Sequence, residues 1–201
     1  MHTQLIQADI PSPQAEDRAP RHVTVLLNAA IQQNGREGLC RIRNVSFQGL
    51  AIETSMPLLA GQEAVITLAS GRQAHCIVRW SRDGRAGMSC ETDLTPLLLE
   101  DRAERLAPRP GPALPRFARA AAVSIRVLGR PHGCTLDSIS TSDVLLCDTI
   151  PLERHERISV VIQGLGAFPA VVSISHEGDL FARFTPPLPF RQLDEWLAAQ
   201  P

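Results

Sequence analysis

Apolar and polar residues alternate in short stretches along the first half of the chain, and small polar turns separate these stretches. Six stretches show this pattern, at residues 22–28, 40–46, 49–55, 63–69, 74–81 and 86–91, and all but the last contain at least two Val, Ile or Leu residues. The dipeptides Asn34-Gly35, Ser70-Gly71 and Asp83-Gly84 are typical of tight turns that join antiparallel strands. Six short strands at this spacing predict a small antiparallel β-barrel.

The two halves of the chain repeat each other. When the sequence is shifted by 94 residues, identical residues coincide at Cys40 and Cys134, Ser46 and Ser140, Val78 and Val172, and Gly84 and Gly178. An R-x-x-R pair precedes each half, Arg18/Arg21 and Arg116/Arg119, at a shift of 98 residues, which predicts a longer first hairpin loop in the first copy. A fixed period of this length indicates tandem duplication of one structural unit.

A helical period of apolar residues follows the strands of each copy. The stripe consists of Leu94, Leu97, Leu98 and Leu106 in the first copy and of Leu193, Trp196 and Leu197 in the second. We expect an amphipathic helix across the open end of each barrel. The sequence thus predicts a mainly β protein of two tandem six-stranded antiparallel barrels, each with a C-terminal helix. Its predicted parts are a flexible tail (1–15), a first domain (16–107), a Pro-rich linker (108–115) and a second domain (116–201).

The composition argues against several classes of partner. The 201 residues carry 20 basic and 21 acidic side chains, and the net charge of −1 gives no general attraction to nucleic acid or to an anionic membrane. Aromatic residues make up 4% of the chain, so few side chains are available to stack on bases of a single strand. No apolar run approaches about 18 residues, and the N-terminus lacks the pattern of a secretory signal. We expect a cytoplasmic protein that neither inserts into a membrane nor binds a nucleic-acid polymer.

Motifs of catalysis and metal binding are missing from the sequence. It contains no G-x-x-x-x-G-K-[ST], no G-x-G-x-x-G, no H-E-x-x-H and no G-x-S-x-G, and its six His are scattered singly. The five Cys include no C-x-x-C and lie mostly in apolar stretches, so we expect buried reduced thiols rather than disulfides or a zinc site. The sequence therefore predicts a protein without catalytic activity, metal or cofactor.

One ordered set of motifs matches a known family. An arginine-rich entry at Arg18 and Arg21 leads to "NVSFQG" at a strand turn, then to the strand "GQEAVI" and to Val78-x-Trp80. In this order the motifs resemble the PilZ domain, the bacterial receptor module for cyclic di-GMP (c-di-GMP). The resemblance covers about residues 16 to 105, and the repeat extends it to a degenerate copy at about 114 to 200.

This resemblance implies a ligand and a set of site residues. The ligand is c-di-GMP, and the residues that match the binding motifs are Arg18, Arg21, Asn44, Ser46 and Gly49. The chain departs from the R-x-x-x-R pattern of the family, because Asp17 stands four positions before Arg21 and the basic residue is Arg18. Loss of one charge-assisted contact typically costs about 1.5 to 3 kcal/mol of binding free energy.

The residue types also fit this ligand on physical grounds. A cyclic dinucleotide presents two phosphates and two guanine faces, which a planar guanidinium meets with paired N–H donors and covers by stacking. From Arg18 to Gly49 the chain has five Arg, Arg41 and Arg43 among them, and one acid, which makes a candidate anion patch. Asn44 and Ser46 share a face because they are two positions apart, and Gly49 allows a positive φ and a close approach of the backbone. The alternative interpretation is ordinary turn chemistry with solvated surface arginines.

The second copy has lost part of this pattern. Ser138 stands at the position of Asn44, and Asp143 puts a negative charge at the position of Gly49, so we expect no ligand there. Arg116 and Arg119 remain, and we interpret them as a solvated linker end. A degenerate copy beside a more complete one fits a scaffold that packs on the first barrel or contacts a partner.

Two classes of function stay open at this stage. The first is a signalling receptor that binds c-di-GMP at the first domain and passes the signal on through Arg18 and Arg21. The second is a ligand-free interaction module of the same fold, an adaptor for an unidentified protein partner in motility, envelope or polysaccharide machinery. A duplicated barrel that binds single-stranded nucleic acid is a third class, which the low aromatic content disfavours.

Overall fold

The first half of the chain forms a closed barrel of six antiparallel strands in the order β1-β2-β3-β6-β5-β4. A computed structural model describes residues 23–46, 49–91, 96 and 115–200. The strands are β1 (Val23–Gln33), β2 (Arg36–Ser46), β3 (Gly49–Glu53), β4 (Glu63–Thr67), β5 (Gln73–Arg82) and β6 (Arg85–Cys90). Inward and outward side chains alternate along them, as in β4, because successive residues of a strand point to opposite faces.

The second half forms a closed barrel with the same order of equivalent strands. These strands are β7 (Ala122–Val127), β8 (Arg130–Ile139), β9 (Asp143–Cys147), β10 (Arg157–Ile162), β11 (Gly166–His176) and β12 (Asp179–Phe184), and helix α1 (Phe190–Ala199) follows them. The predicted fold class of two tandem six-stranded barrels is confirmed. The tail, the helix predicted over residues 93–107 and the linker up to residue 114 lie outside the described residues, except for Pro96. In the described part of the chain, no helix has the length and apolar character needed to cross a bilayer.

The strands keep the 94-residue register of the repeat. Strands β3 and β9 begin and end at equivalent positions, and so do β6 and β12. The first hairpin of each barrel turns through two residues with positive φ, Asn34-Gly35 and Leu128-Gly129, as a two-residue turn between twisted strands requires. The prediction of a longer loop in the first copy is therefore wrong.

The same register continues upstream of both hairpins. Val23 pairs with Val45 in the first barrel, and Phe117 pairs with Ile139 in the second. Arg116 therefore aligns with residue 22, which is next to Arg21 in the sequence, and not with Arg18.

Each barrel has its own apolar core. Isoleucine and leucine side chains are almost wholly buried in both, among them Ile31, Ile42 and Ile66 in the first and Ile125, Leu146 and Leu193 in the second. Burial of such a side chain typically stabilises the fold by about 1.5–3 kcal/mol. Ala30 and Leu39 of the first barrel pack with the core of the second, so the two cores are joined by an apolar contact.

Helix α1 contacts both barrels, which the sequence did not predict. On the side of its own barrel, Trp196 Nε1 donates to a carbonyl oxygen of the β10–β11 turn at 3.0 Å. On the side of the first barrel, the Ser55 amide donates to the Asp194 carboxylate at 2.6 Å, and the Arg41 guanidinium lies 4.1 Å from the centre of the Phe190 ring. The helix thereby ties the second barrel to the outer surface of β2.

The expectation that all five cysteines are reduced thiols is wrong for one pair. Cys76 in β5 stands opposite Cys90 in β6 with the Cα atoms 4.4 Å apart, and a disulfide joins them. The two cysteines are 14 residues apart in sequence, and this spacing does not predict a disulfide. Only the register of β5 with β6 brings them opposite each other. Cys40, Cys134 and Cys147 are free, and burial raises the pKa of the Cys40 thiol above its usual range.

Candidate functional site

A cavity of about 430 Å³ opens on the outer surface of the first barrel. It lies over β2, β3, β6 and β5, which are neighbours in the sheet. Polar, basic and apolar residues line it together with two glycines: Asn44, Ser46, Gly49, Leu50, Ala51, Arg79, Trp80, Gly87 and Met88. All three of the predicted site residues that the structure describes therefore meet at one cavity.

A β-bulge in β2 turns two of them to the outer surface. The pairing of β2 with β3 shifts between Ile42 and Asn44, which makes Arg43 an extra residue in β2. Because of it, Ile42 and Val45 both point into the barrel although they are three positions apart. Asn44 is exposed and Ser46 is half-buried on the outer side, so the two share a face, as the sequence predicted.

Two glycines let the backbone of β3 and β6 come close to neighbouring groups. A Cβ atom on Gly49 would overlap the carbonyl oxygen of Met88, and one on Gly87 would overlap the indole ring of Trp80. Gly49 does not have a positive φ, so the expectation of a left-handed backbone there is wrong. The reason for glycine is the close approach of β6, and the Ser46 hydroxyl also donates to the Gly49 carbonyl at 3.2 Å.

A second bulge brings a basic and an aromatic side chain to the cavity. The pairing of β5 with β6 shifts between Val78 and Trp80, and Arg79 is the extra residue. Arg79 and Trp80 are in consequence both exposed, Trp80 to 41%. Arg79 Nε donates to Ser89 Oγ on β6 at 2.7 Å. The motif Val78-x-Trp80 pointed to Trp80, but no sequence pattern pointed to Arg79, because the direction of its side chain depends on the bulge.

Two other arginines of the basic segment contact different parts of the protein. Arg43 forms an ion pair with Glu53 at 3.2 Å, and Arg41 lies over the Phe190 ring of α1. Burial lowers the pKa of the Arg41 guanidinium, and the nearby Glu53 opposes this shift. The interpretation of the segment as one anion patch is therefore wrong for Arg41 and Arg43. The two N-terminal arginines of the motif lie outside the described residues, and their place in the site stays a prediction.

In the second barrel, an arginine of the same chain closes the equivalent surface. Arg116 donates from Nε to Ser138 Oγ at 3.1 Å and from Nη2 to the Ser138 carbonyl at 2.9 Å, and its Nη1 binds the Asp143 carboxylate. The Ser140 hydroxyl donates to the same carboxylate at 2.9 Å. The side chains of Arg116 and Asp143 are 10% and 2% exposed. The motif positions of this copy are thus bonded to each other and to one arginine.

The contacts of Arg119 also differ from expectation. Its Nη2 donates to the Glu37 carbonyl of the first barrel at 2.6 Å, and its Nη1 donates to the Ala118 carbonyl at 2.7 Å. The interpretation of Arg116 and Arg119 as a solvated linker end is therefore wrong, since one closes the second barrel and the other joins the two barrels. The sequence lacks a signal for this, because the partner of Arg119 is a backbone carbonyl.

A larger cavity of about 570 Å³ lies between the first barrel and α1. Four acids line it beside three arginines: Glu53, Asp83, Asp194 and Glu195. Burial raises the pKa of Asp194 to about 6, although hydrogen bonds from Ser55 and Thr54 act in the opposite direction. The acids would repel a ligand with two phosphates, so the smaller cavity on the first barrel is the better candidate. Among the described residues, no three His, Cys, Asp or Glu side chains are grouped to hold a metal ion.

Comparisons with known proteins agree with the motifs. A family model described as the PilZ domain matches residues 16–107. The search of curated proteins found no match.

Among solved structures, three similar ones are distant. One is the PlzA protein of Borreliella burgdorferi in complex with c-di-GMP, with 8% identity and a TM-score of 0.40 over 89% of this chain and 94% of that one. The K. pneumonia MrkH-c-di-GMP complex has 16% identity and a TM-score of 0.32 over 85% of both chains. The Bacillus subtilis inhibitor of motility (MotI/DgrA) has 12% identity and a TM-score of 0.35 over 87% of this chain and 96% of that one. Because these identities and TM-scores are low, the three structures do not show a function for this chain.

Proposed function

We propose, from the match of residues 16–107 to the PilZ domain family, that the first barrel is a receptor for c-di-GMP. The ligand binds in the cavity over β2, β3, β6 and β5, between Asn44, Ser46 and Gly49 and the arginines Arg18 and Arg21. It is bound and released unchanged, so the protein is a non-enzymatic signalling receptor and c-di-GMP is a ligand rather than a cofactor.

One observation carries this proposal. Asn44, Ser46 and Gly49 of one motif share the cavity with the exposed indole ring of Trp80 and the guanidinium of Arg79, both from the distant strand β5. The Asn44 amide offers a donor and an acceptor for a guanine edge, and Trp80 offers an aromatic face on which a base can stack. Because Gly87 has no side chain, the Trp80 indole lies close to the backbone of β6, and Gly49 allows β3 the same close approach to the Met88 carbonyl.

The second barrel supports a role for the N-terminal arginines in binding a phosphate at the motif. There Arg116, which aligns next to Arg21, lies at the motif and binds the carboxylate of Asp143. An arginine that reaches the same place in the first barrel meets Gly49, which carries no anion. A phosphate of c-di-GMP supplies the missing negative charge, and the contact is charge-assisted.

A separate role follows for the second barrel. Its motif positions are bonded to each other and to Arg116, which favours a ligand-free body that contacts a protein partner. We propose that the protein acts in the cytoplasm, without a nucleic-acid polymer and without membrane insertion. Ligand binding reorients the segment with Arg18 and Arg21, and this change is what the partner detects.

Calorimetric titration of the full chain with c-di-GMP tests the proposal. It is run at fixed salt, because the expected contacts are ionic. We expect saturable heat with c-di-GMP and much weaker binding of cyclic di-AMP, which lacks the guanine O6 acceptor. The receptor is ruled out, and the ligand-free adaptor remains, if the wild type gives no heat and Asp17→Arg, which restores the R-x-x-x-R spacing, gives none either.

A further inference from the structure

We propose that Arg79 is an additional ligand-binding residue of the first barrel and that its guanidinium contacts a phosphate of c-di-GMP from the β5 side of the cavity. This inference rests on the proposed function, because it assigns a contact within the same site. Arg79 belongs neither to the arginine motif nor to the motif Asn44-x-Ser46-x-x-Gly49, and it is the unspecified position of Val78-x-Trp80.

The local backbone directs Arg79 to the cavity. As the extra residue of a bulge it has no partner opposite it on β6, and its side chain points outward next to that of Trp80. The bond from Nε to Ser89 Oγ fixes the plane of the guanidinium. Among the described residues, Nε is the only atom of this guanidinium with a partner, so the two Nη groups remain as paired N–H donors for an oxyanion.

The second barrel has the same bulge without the arginine. There the pairing of β11 with β12 shifts between Val172 and Ile174, and the extra residue is Ser173. The barrel fold therefore needs the bulge and does not need an arginine on it. Arg79 and Trp80 occur where the cavity is open, whereas Ser173 and Ile174 occur where Arg116 has closed it. This difference links Arg79 to the ligand rather than to the barrel.

The sequence adds a reason for a third arginine. The family pattern has two arginines four positions apart, and here Asp17 occupies the first of these positions. An anion with two phosphates then needs positive charge from elsewhere, and Arg79 supplies a guanidinium on the opposite edge of the cavity. A surface arginine without this role contributes only a solvated charge.

The test compares Arg79→Ser, which copies the second barrel, with Arg126→Ala. The exposed Arg126 lies on β7 of the second barrel, and its removal changes the net charge equally. Calorimetric titration with c-di-GMP should show about ten- to a hundredfold weaker binding for Arg79→Ser and no change for Arg126→Ala. Ser89→Ala, which frees the guanidinium, should weaken binding about threefold to tenfold. The Kd of Arg79→Ser should also depend less on salt than that of the wild type, because one ionic contact is missing.

The outcomes separate this inference from the proposed function. If the wild type binds c-di-GMP and Arg79→Ser binds it equally well with the same salt dependence, Arg79 is a solvated side chain and only this inference is overturned. If the wild type does not bind at all, both are overturned. If Arg79→Ser fails to fold, Arg79→Lys decides, because it keeps the charge and loses the paired donors: a loss of at least threefold supports the contact, and unchanged affinity contradicts it.

Discussion

The two barrels have the same strand order and equivalent bulges in β2 and β8 and in β5 and β11, but they differ in the residues at one turn. In the first barrel Gly49 leaves a cavity beside Asn44 and Ser46. In the second, Asp143 supplies a carboxylate at the equivalent position and Arg116 binds it. The same strand arrangement thus carries an open cavity in the first barrel and a surface closed by an ion pair in the second.

The same difference gives the second barrel a buried ion pair of its own. Arg116 and Asp143 are almost wholly buried, and a charge in that position has a large desolvation cost unless it is paired. The pair with its hydrogen bonds from Ser140 and to Ser138 meets this need within the barrel. In the first barrel we propose that a phosphate of c-di-GMP is the corresponding partner of an arginine.

The largest effect is expected when the second turn is copied into the first. Gly49→Asp should abolish binding of c-di-GMP, because the new Cβ overlaps the Met88 carbonyl and the new carboxylate repels the phosphates. Calorimetry measures the loss. Gly133→Asp is the matched control, because this β8 glycine has open space around it and the added charge is the same. If Gly49→Asp binds c-di-GMP within tenfold of the wild-type affinity, an aspartate at this turn does not exclude the ligand.

Removal of the internal arginine should instead affect stability. Arg116→Ala leaves the buried Asp143 carboxylate without its cation and should lower the free energy of unfolding by about 3–5 kcal/mol in urea. The double variant with Asp143→Ala should regain a large part of this loss. The affinity for c-di-GMP should not change as long as the protein is folded. A small change in stability would mean that the pair does not hold the second barrel together.

The corresponding change in the first barrel should affect binding. Arg21→Ala should weaken c-di-GMP binding by about thirty- to a thousandfold, because both a phosphate contact and guanine stacking are lost, and Arg18→Ala should follow closely. The free energy of unfolding should stay nearly the same. Arg126→Ala is the control, since Arg119 is unsuitable because it bonds the Glu37 carbonyl across the two barrels. Equal affinities of Arg21→Ala and the control would contradict the assignment of the N-terminal arginine.

The contact between the barrels should depend on pH through Asp194. Its pKa is about 6 in the fold against an ordinary value of 3.8, so the folded protein binds more protons than the unfolded chain between these values. This group therefore makes the protein more stable as the pH falls from 7 to 5 and less stable as it rises again. Thermal unfolding should show a gain of a few degrees at pH 5 that Asp194→Asn lacks. If the wild type and Asp194→Asn show the same pH dependence, Asp194 does not cause the change in stability.

The smallest change is expected at the hydroxyl of the motif. Ser46→Ala removes one hydrogen bond and should weaken c-di-GMP binding by about 1 kcal/mol, roughly fivefold. Ser140→Ala in the second barrel removes a bond to the Asp143 carboxylate and should lower stability instead of affinity. Titration and urea unfolding of both variants compare the two effects. A loss of stability in Ser46→Ala, or a loss of affinity in Ser140→Ala, would contradict the different roles of the two serines.

The sequence was sufficient for the architecture and for part of the site. The strands, the turns and the repeat follow from patterns that are local or periodic, and Asn44 and Ser46 share a face because of their spacing. Three features could not be predicted, because they depend on how the strands pair and how distant residues meet in the fold. They are the disulfide of Cys76 with Cys90, the direction of Arg79 and the closure of the second barrel by Arg116. Gly49 was recognised for the wrong reason, because the approach of Met88 is visible only when β3 and β6 are paired.

One measurement tests the central claim that the ligand binds at the cavity of the first barrel. The chain has two tryptophans, and Trp196→Phe leaves Trp80 at the cavity as the single fluorescent reporter. Titration of this variant with c-di-GMP should give a saturable change in Trp80 emission with the same Kd as calorimetry, because a guanine stacks on or beside the indole ring. Heat of binding without any change in the emission of Trp80 would contradict the account, since the ligand would then bind elsewhere on the protein.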